Sequence, residues 1–158
     1  MATQNRKKKV DTTQLCVKAL GAMHKFLRAA FDLAKEHTFD PHLEYNHCAV
    51  IAKGEKILSV GYNYRGTNPL TEHYRTKEHT CTVHAEIDAI VSKRKKVRFE
   101  GAKVYVVRIK SDGNVAMSKP CEMCQHVLYN YGIKRAYFST GEFPFVGKMK
   151  IDNPAKVA

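Results

Sequence analysis

Two short segments hold the candidate chemistry of this chain: His84-Ala85-Glu86, and Pro120-Cys121-Glu122-Met123-Cys124. His84, Cys121 and Cys124 are side chains of the kind that hold Zn2+, and Glu86 is a carboxylate that need not touch the ion. A structural zinc takes four protein ligands, whereas a catalytic zinc takes three and leaves one position for water. Three ligands with an acid beside the first therefore point to hydrolysis. Zinc held this way lowers the pKa of water from about 15.7 to roughly 7, and a nearby glutamate can shuttle the proton released. Cys121 and Cys124 are three apart, so on a helix both sulfurs project from one side. At a helix start, the exposed N–H groups and the positive end of the dipole favour thiolate over thiol.

A Cys-x-x-Cys by itself also fits a redox pair or half of a structural zinc site, that is, a non-catalytic zinc or redox module. The preceding proline and the His-Ala-Glu on a separate helix favour catalysis. Two further sets of residues are weaker candidates. His79 and Cys81 could join His47, Cys48 or His73 around a second zinc, although solvated histidines and buried cysteines explain them as well. Tyr62, Tyr64 and Tyr74 could stack on a base.

The elements that must position these residues are legible in the apolar spacing. Asp11 with Gln14 opens a helix whose apolar face, from Leu15 through Phe26, Leu27, Ala30 and Leu33, runs to about His37. His47–Ala52 and Lys56–Tyr62 read as a hairpin around Lys53-Gly54-Glu55. The polar stretch from Asn63 to Thr82 is a long loop of the functional or mobile kind. A helix follows from His84 to about Lys95, then a strand over Val104–Ile109 and a turn at Ser111-Asp112-Gly113-Asn114. Pro120 opens a third helix that Gly132 ends, and Arg135–Ser139 is a fourth strand. The alternation predicts an α/β fold with a mixed sheet covered by helices. Its 158 residues read as a single domain, with a basic tail over about 1–10 and an irregular tail over about 141–158.

Composition excludes little but is consistent with this. No run approaches the roughly 20 apolar residues of a membrane span, and the basic N-terminus leads into no apolar signal segment. A cytoplasmic, reducing location is the expectation. The net charge is +12, but Arg6–Lys9 and Lys93–Arg98 contribute nine of the positive charges, leaving only +3 elsewhere. Such clusters suit either a nucleic-acid backbone or plain solubility.

His-x-Glu followed by Pro-Cys-x-x-Cys is the signature of zinc-dependent nucleobase deaminases. From His47 to Thr140 the chain resembles the cytidine and deoxycytidylate deaminase superfamily. The resemblance rests on Cys81-Thr-Val-His-Ala-Glu-Ile-Asp-Ala-Ile90, Lys119-Pro-Cys-Glu-Met-Cys124 and Ser59-Val-Gly-Tyr-Asn63. It implies a three-layer fold with a mixed five-stranded sheet flanked by helices, and a homo-oligomer. Four strands are evident, so the fifth would lie in or beyond 142–151. The resemblance also implies that Asn63 touches the substrate's sugar and that the backbone at Ala85 lines the pocket against the base.

Departures sort the branches. Free cytidine deaminases generally carry Cys where His84 stands. Polynucleotide cytidine editors carry a Trp before the Pro-Cys, and this chain has none. Transfer-RNA adenosine deaminases place Asp-Pro where Thr82-Val83 stands. Gly61-Tyr62-Asn63 resembles the deoxycytidylate branch best, although Tyr64 replaces a common Gly and bears on its triphosphate regulation. Branches acting on free guanine or cytosine also use His-Ala-Glu. The leading expectation is deamination at C4 of a small cytosine nucleotide, dCMP to dUMP, with Arg65 and Arg75 of the long loop holding its 5′-phosphate. Deamination within single-stranded DNA, RNA or tRNA is the alternative.

Overall fold

The computed structural model describes residues 24–70 and 82–154. Over these residues a mixed sheet lies between one helix on one face and two on the other. Helix α1 (Lys25–Glu36) precedes strands β1 (Tyr45–Lys53) and β2 (Lys56–Tyr62), with the short β3 (Tyr64–Arg65) and β4 (Thr82–Val83) next. Helix α2 (Ala85–Lys93) leads to β5 (Lys103–Lys110) and the short β6 (Val115–Ala116). Helix α3 (Glu122–Asn130), β7 (Arg135–Ser139) and β8 (Val146–Lys150) complete the chain. The sheet order is β2-β1-β5-β7-β8, with β6 pairing β5. Only β5 and β7 run parallel; α3 lies in the crossover between them.

Alternation along each strand divides the core in two. Ala49 and Ile51 of β1, Val104 and Val106 of β5, and Ala136 and Phe138 of β7 pack with Ile87 and Ile90 of α2 and Val127 and Leu128 of α3. The intervening Cys48, Val50, Ala52, Tyr105, Val107 and Ile109 pack with Phe26, Leu27, Ala30 and Phe31 of α1. The amphipathic face read in the sequence over Phe26–Leu33 is thus the buried face of α1. The part of that helix expected over residues 11–23 lies outside the described residues.

Three expectations change. The region expected from composition to be an irregular tail after Gly141 contains β8, in the stretch where the family resemblance put a fifth strand, and it pairs with all of β7 in antiparallel register from Arg135↔Lys150 to Ser139↔Val146. Its Val-Gly-Lys-Met-Lys sequence hides the alternation, because the strand is an edge and carries lysines where an inner strand carries apolar residues. Gly147 is required there: a Cβ would sit 2.3 Å from the Phe138 ring. The stretch read as one long loop has its ends joined, Tyr64↔Val83 and Arg65↔Thr82. Residues 71–81 between them lie outside the described residues. Pro120 precedes the N-cap Cys121 rather than occupying the first turn of α3.

Candidate metal centre and active site

The first residues of α2 and α3 meet beside β1 and β5. His84 is the N-cap of α2 and Cys121 the N-cap of α3, and neither makes a side-chain capping bond. Ser, Thr, Asp or Asn at such a position would satisfy a helix N–H and contribute about 1 kcal/mol. Here both cap side chains face each other instead. His84 Nδ1 lies 3.5 Å from Cys121 Sγ and 3.3 Å from Cys124 Sγ. All three donor atoms fall within 4.8 Å of one another. A tetrahedral zinc with ordinary Zn–N and Zn–S lengths separates such N and S atoms by about 3.6 Å. The donor set and its spacing therefore fit zinc. Among the described residues it is the one group of three or more His, Cys, Asp or Glu side chains close enough to hold a metal.

Glu86 is buried in the first turn of α2. Burial pushes its carboxyl up to about 7. The Cys124 thiol hydrogen-bonds to Cys121, drawing Cys121 down to about 4 and holding Cys124 far above its usual range. Zinc binding releases such protons. His84 is raised, mainly by its hydrogen bond to Cys121. A cavity of about 260 Å³ opens onto this cluster, lined among others by His47, His84, Glu86, Arg108, Lys119 and Cys121. Its volume is slightly below the roughly 300 Å³ at which small-ligand sites begin, so it suits a base with the rest of the ligand nearer the mouth.

The supporting contacts are mostly long-range. Ser59 Oγ donates to the Ala89 carbonyl at 2.5 Å, and the Tyr62 N–H donates to Asp88 Oδ2 at 2.9 Å. A Cβ on Gly61 would lie 2.2 Å from Ala89 N and 2.3 Å from the Ala85 carbonyl. Ser59, Gly61 and Tyr62 thus seat α2 on β2. On the other side, Ser118 Oγ donates to the Val106 carbonyl at 2.7 Å and lies 2.8 Å from Ser139 Oγ. The Ser139 hydroxyl donates to the Ala116 carbonyl at 2.8 Å. This pair fixes the segment that delivers Cys121.

A family model described as the cytidine and deoxycytidylate deaminase zinc-binding region matches residues 21–140. The chain belongs to this deaminase family. Its cofactor is zinc, and the residues that can hold it are His84, Cys121 and Cys124. A probable deoxycytidylate deaminase of Caenorhabditis elegans is 29% identical over 139 residues, which cover 84% of this chain and 62% of that protein. The chain therefore spans less than two thirds of that relative's length. The cytidine deaminase of Burkholderia pseudomallei shares the fold, with a TM-score of 0.54 at 18% identity over 81% of this chain and 92% of that one. So does the dCMP deaminase of the cyanophage S-TIM5 in complex with dCMP and dUMP, at 0.50 and 17% identity over 73% of this chain and 78% of that one. The deaminase fold implied by the sequence, a mixed sheet flanked by helices, is the one observed.

The remaining predicted residues fall as follows. Ala85 is buried at the start of α2. Asn63 follows β2 and ties it to β1: its Oδ1 accepts from the His47 N–H at 2.8 Å and its Nδ2 donates to the Tyr45 carbonyl at 2.9 Å. Tyr62 stacks on His37 at 4.0 Å. His47 and Cys48 point to opposite faces of β1, so they cannot share a second zinc; Cys48 is buried against α1. Arg65 is exposed on β3 and does not line the cavity. Cys16, His73, Tyr74, Arg75, His79 and Cys81 lie outside the described residues. The cluster Lys93–Arg98 follows the last turn of α2, about 13 Å along the helix from His84,. Among the described residues no helix is long and apolar enough to cross a membrane.

Sequence reasoning missed Asp88, Ser118, Ser139 and Arg108. Asp88 had a local signal: it sits on α2 just after His-Ala-Glu, on the side turned toward β2. The others become visible only through strand register.

Proposed function

We propose that the chain is a zinc-dependent nucleotide deaminase of the deoxycytidylate type, converting dCMP to dUMP with release of ammonia. One observation supports this most: an acid held near neutral pKa is buried beside a three-donor zinc site, inside a cavity of nucleobase size. Zinc, when bound, supplies the Lewis acidity that makes hydrolytic attack feasible near neutral pH. Glu86 takes one proton from the attacking water and delivers it to the ring nitrogen, then takes the second proton of that water and delivers it to the amine departing from C4, which leaves as ammonia. Burial suits it to both tasks, since a carboxyl with a pKa near 7 gives and takes protons readily,. His84, Cys121 and Cys124 hold the ion, and the Ala85 backbone lies against the base. Asparagine can donate and accept twice, so the two backbone bonds of Asn63 leave capacity for a sugar hydroxyl.

Purified zinc-loaded protein, tested for ammonia release on dCMP, CMP, cytidine, cytosine and guanine, checks this reading. Turnover of dCMP is the expected outcome, and inactivity on every monomer would sink it. The alternative, a deaminase of single-stranded DNA, RNA or tRNA, draws on the basic clusters. The placement of Lys93–Arg98 at the far end of α2 from the metal ligands disfavours it. Salt-sensitive turnover of oligonucleotides but not monomers would reverse that preference. The same reading carries a homo-oligomer, checked by light scattering, and a reducing cytoplasmic setting that keeps the two ligand thiols available for metal.

A further inference from the structure

Strand register brings together a pair of residues that the zinc chemistry does not use. His47 of β1 and Arg108 of β5 are direct cross-strand partners. Both share the strand parity of Ala49, Ile51, Val104 and Val106, the residues that pack against α2 and α3. They occupy the end of that face where the two helices begin, and both line the cavity with His84 and Glu86. His47 Nε2 and Arg108 Nε are each shielded from solvent and have no hydrogen-bond partner among the described residues. Leaving one such polar group unsatisfied costs about 1–3 kcal/mol. Two adjoining ones on a cavity wall point to a ligand that satisfies them.

The environment of Arg108 says what kind of ligand. Its guanidinium lies over the Tyr45 ring, 3.5 Å from the ring centre, and Nη1 donates to the Met117 carbonyl at 3.4 Å. Both supports are neutral, and they orient the guanidinium plane. No carboxylate pairs with it among the described residues. Lys119 adds a second cation to the lining, and among the described residues the lining's one carboxylate is Glu86. A half-buried, oriented cation without a counter-charge calls for an anion rather than a neutral carbonyl or hydroxyl. The planar guanidinium fork matches phosphate in two-point geometry.

We propose that Arg108, with His47 beside it, is the subsite that takes the substrate's phosphate and makes the enzyme discriminate phosphorylated from unphosphorylated substrates. The proposal rests on the nucleotide-deaminase reading and moves the phosphate anchor from the loop arginines expected earlier to β5. The phosphate has two sources, the 5′-phosphate of a mononucleotide or a phosphodiester of a strand.

The test is calorimetric binding of product-side ligands to the zinc-loaded protein, which needs no turnover: dUMP, deoxyuridine, and a short single-stranded oligodeoxynucleotide containing one deoxyuridine. The wild type binds dUMP or the oligonucleotide about 10- to 100-fold more tightly than deoxyuridine, the range expected for charged hydrogen bonds. Arg108→Gln removes most of that ratio at unchanged zinc content, and Arg108→Lys restores only part, because ammonium keeps the charge but not the fork. Loss of the dUMP advantage identifies the mononucleotide phosphate, and loss of the oligonucleotide advantage identifies the phosphodiester. Equal binding of all three ligands by the wild type overturns the proposal, even if Arg108→Gln fails to fold. A zinc-loaded Arg108→Gln protein that keeps the full ratio overturns it too. Failure of the deaminase reading would appear separately, as absent ammonia release.

Discussion

The two faces of the central sheet make opposite uses of the same strands. On the α1 side, Phe26, Leu27, Ala30 and Phe31 lie on Cys48, Val50, Tyr105 and Val107, a core of side chains with nothing reactive at its centre. Cys48 illustrates this: burial raises its thiol to about 12, so it behaves as a small apolar residue,. On the α2–α3 side, equally buried positions include Cys124 and Glu86. There the helix starts forgo their capping bonds so that His84 and Cys121 can face one another. Chemistry concentrates on the face where two helix N-termini converge on one sheet end, because that is where exposed N–H groups and positive dipole ends stabilise thiolates. A face covered by one helix running across the strands offers no such convergence.

Substitutions on the two faces should therefore separate metal and activity from stability. The largest effect is expected from Cys124→Ala. Elemental analysis of the purified variant should find zinc far below stoichiometric, and ammonia release should vanish. A variant with full metal content would refute the ligand assignment. Next is Glu86→Gln, which should retain zinc yet lose about 10²- to 10⁴-fold in turnover, the usual worth of a positioned acid–base group. A loss of zinc instead would show that the carboxylate serves the metal rather than the proton.

Smaller effects sharpen the contrast. Phe31→Ala, on the α1 face, should cost about 3–5 kcal/mol in denaturant unfolding while leaving zinc content unchanged. Gly61→Ala should cost about 1–3 kcal/mol and should also weaken zinc affinity, because the new methyl displaces α2 and with it His84. If both variants changed stability alone, the two faces would not differ as described. The mildest prediction concerns Cys48. Its thiol ionises at about 12 when folded against 9.0 ordinarily. The native state thus holds that proton more tightly than the unfolded chain, and the associated stability, complete below pH 9, drains away as pH rises toward 12. At pH 8 Cys48 should resist alkylation in folded protein and react on unfolding, as mass spectrometry of its peptide would show.

Local pattern and tertiary register contributed differently to what could be read. The helix periodicity of α1 from Phe26 onward, the hairpin β1–β2, and strands β5 and β7 follow from apolar spacing and turn residues, and the structure places each within a residue or two of its expected bounds. The three zinc donors were legible because ligand chemistry restricts them to His and Cys at short spacings. Strand β8 was legible only through the family resemblance, which put a fifth strand in or beyond 142–151, since an edge strand bearing Lys148 and Lys150 has no apolar alternation of its own to display. Asn63 was read toward a sugar, whereas its amide also bridges the ends of β1 and β2, a contact between residues 16 and 18 positions apart.

The sequence by itself determined the reactive groups, the metal they suit and the elements carrying them, because these depend on residue type and near-neighbour spacing. Only the tertiary structure decided that His47 meets Arg108, that Ser118 meets Ser139, and that Asp88 receives the Tyr62 N–H. Those meetings are fixed by which strand pairs with which, and in what register. That outcome is set by the burial of the whole sheet and is written in no local stretch of chain.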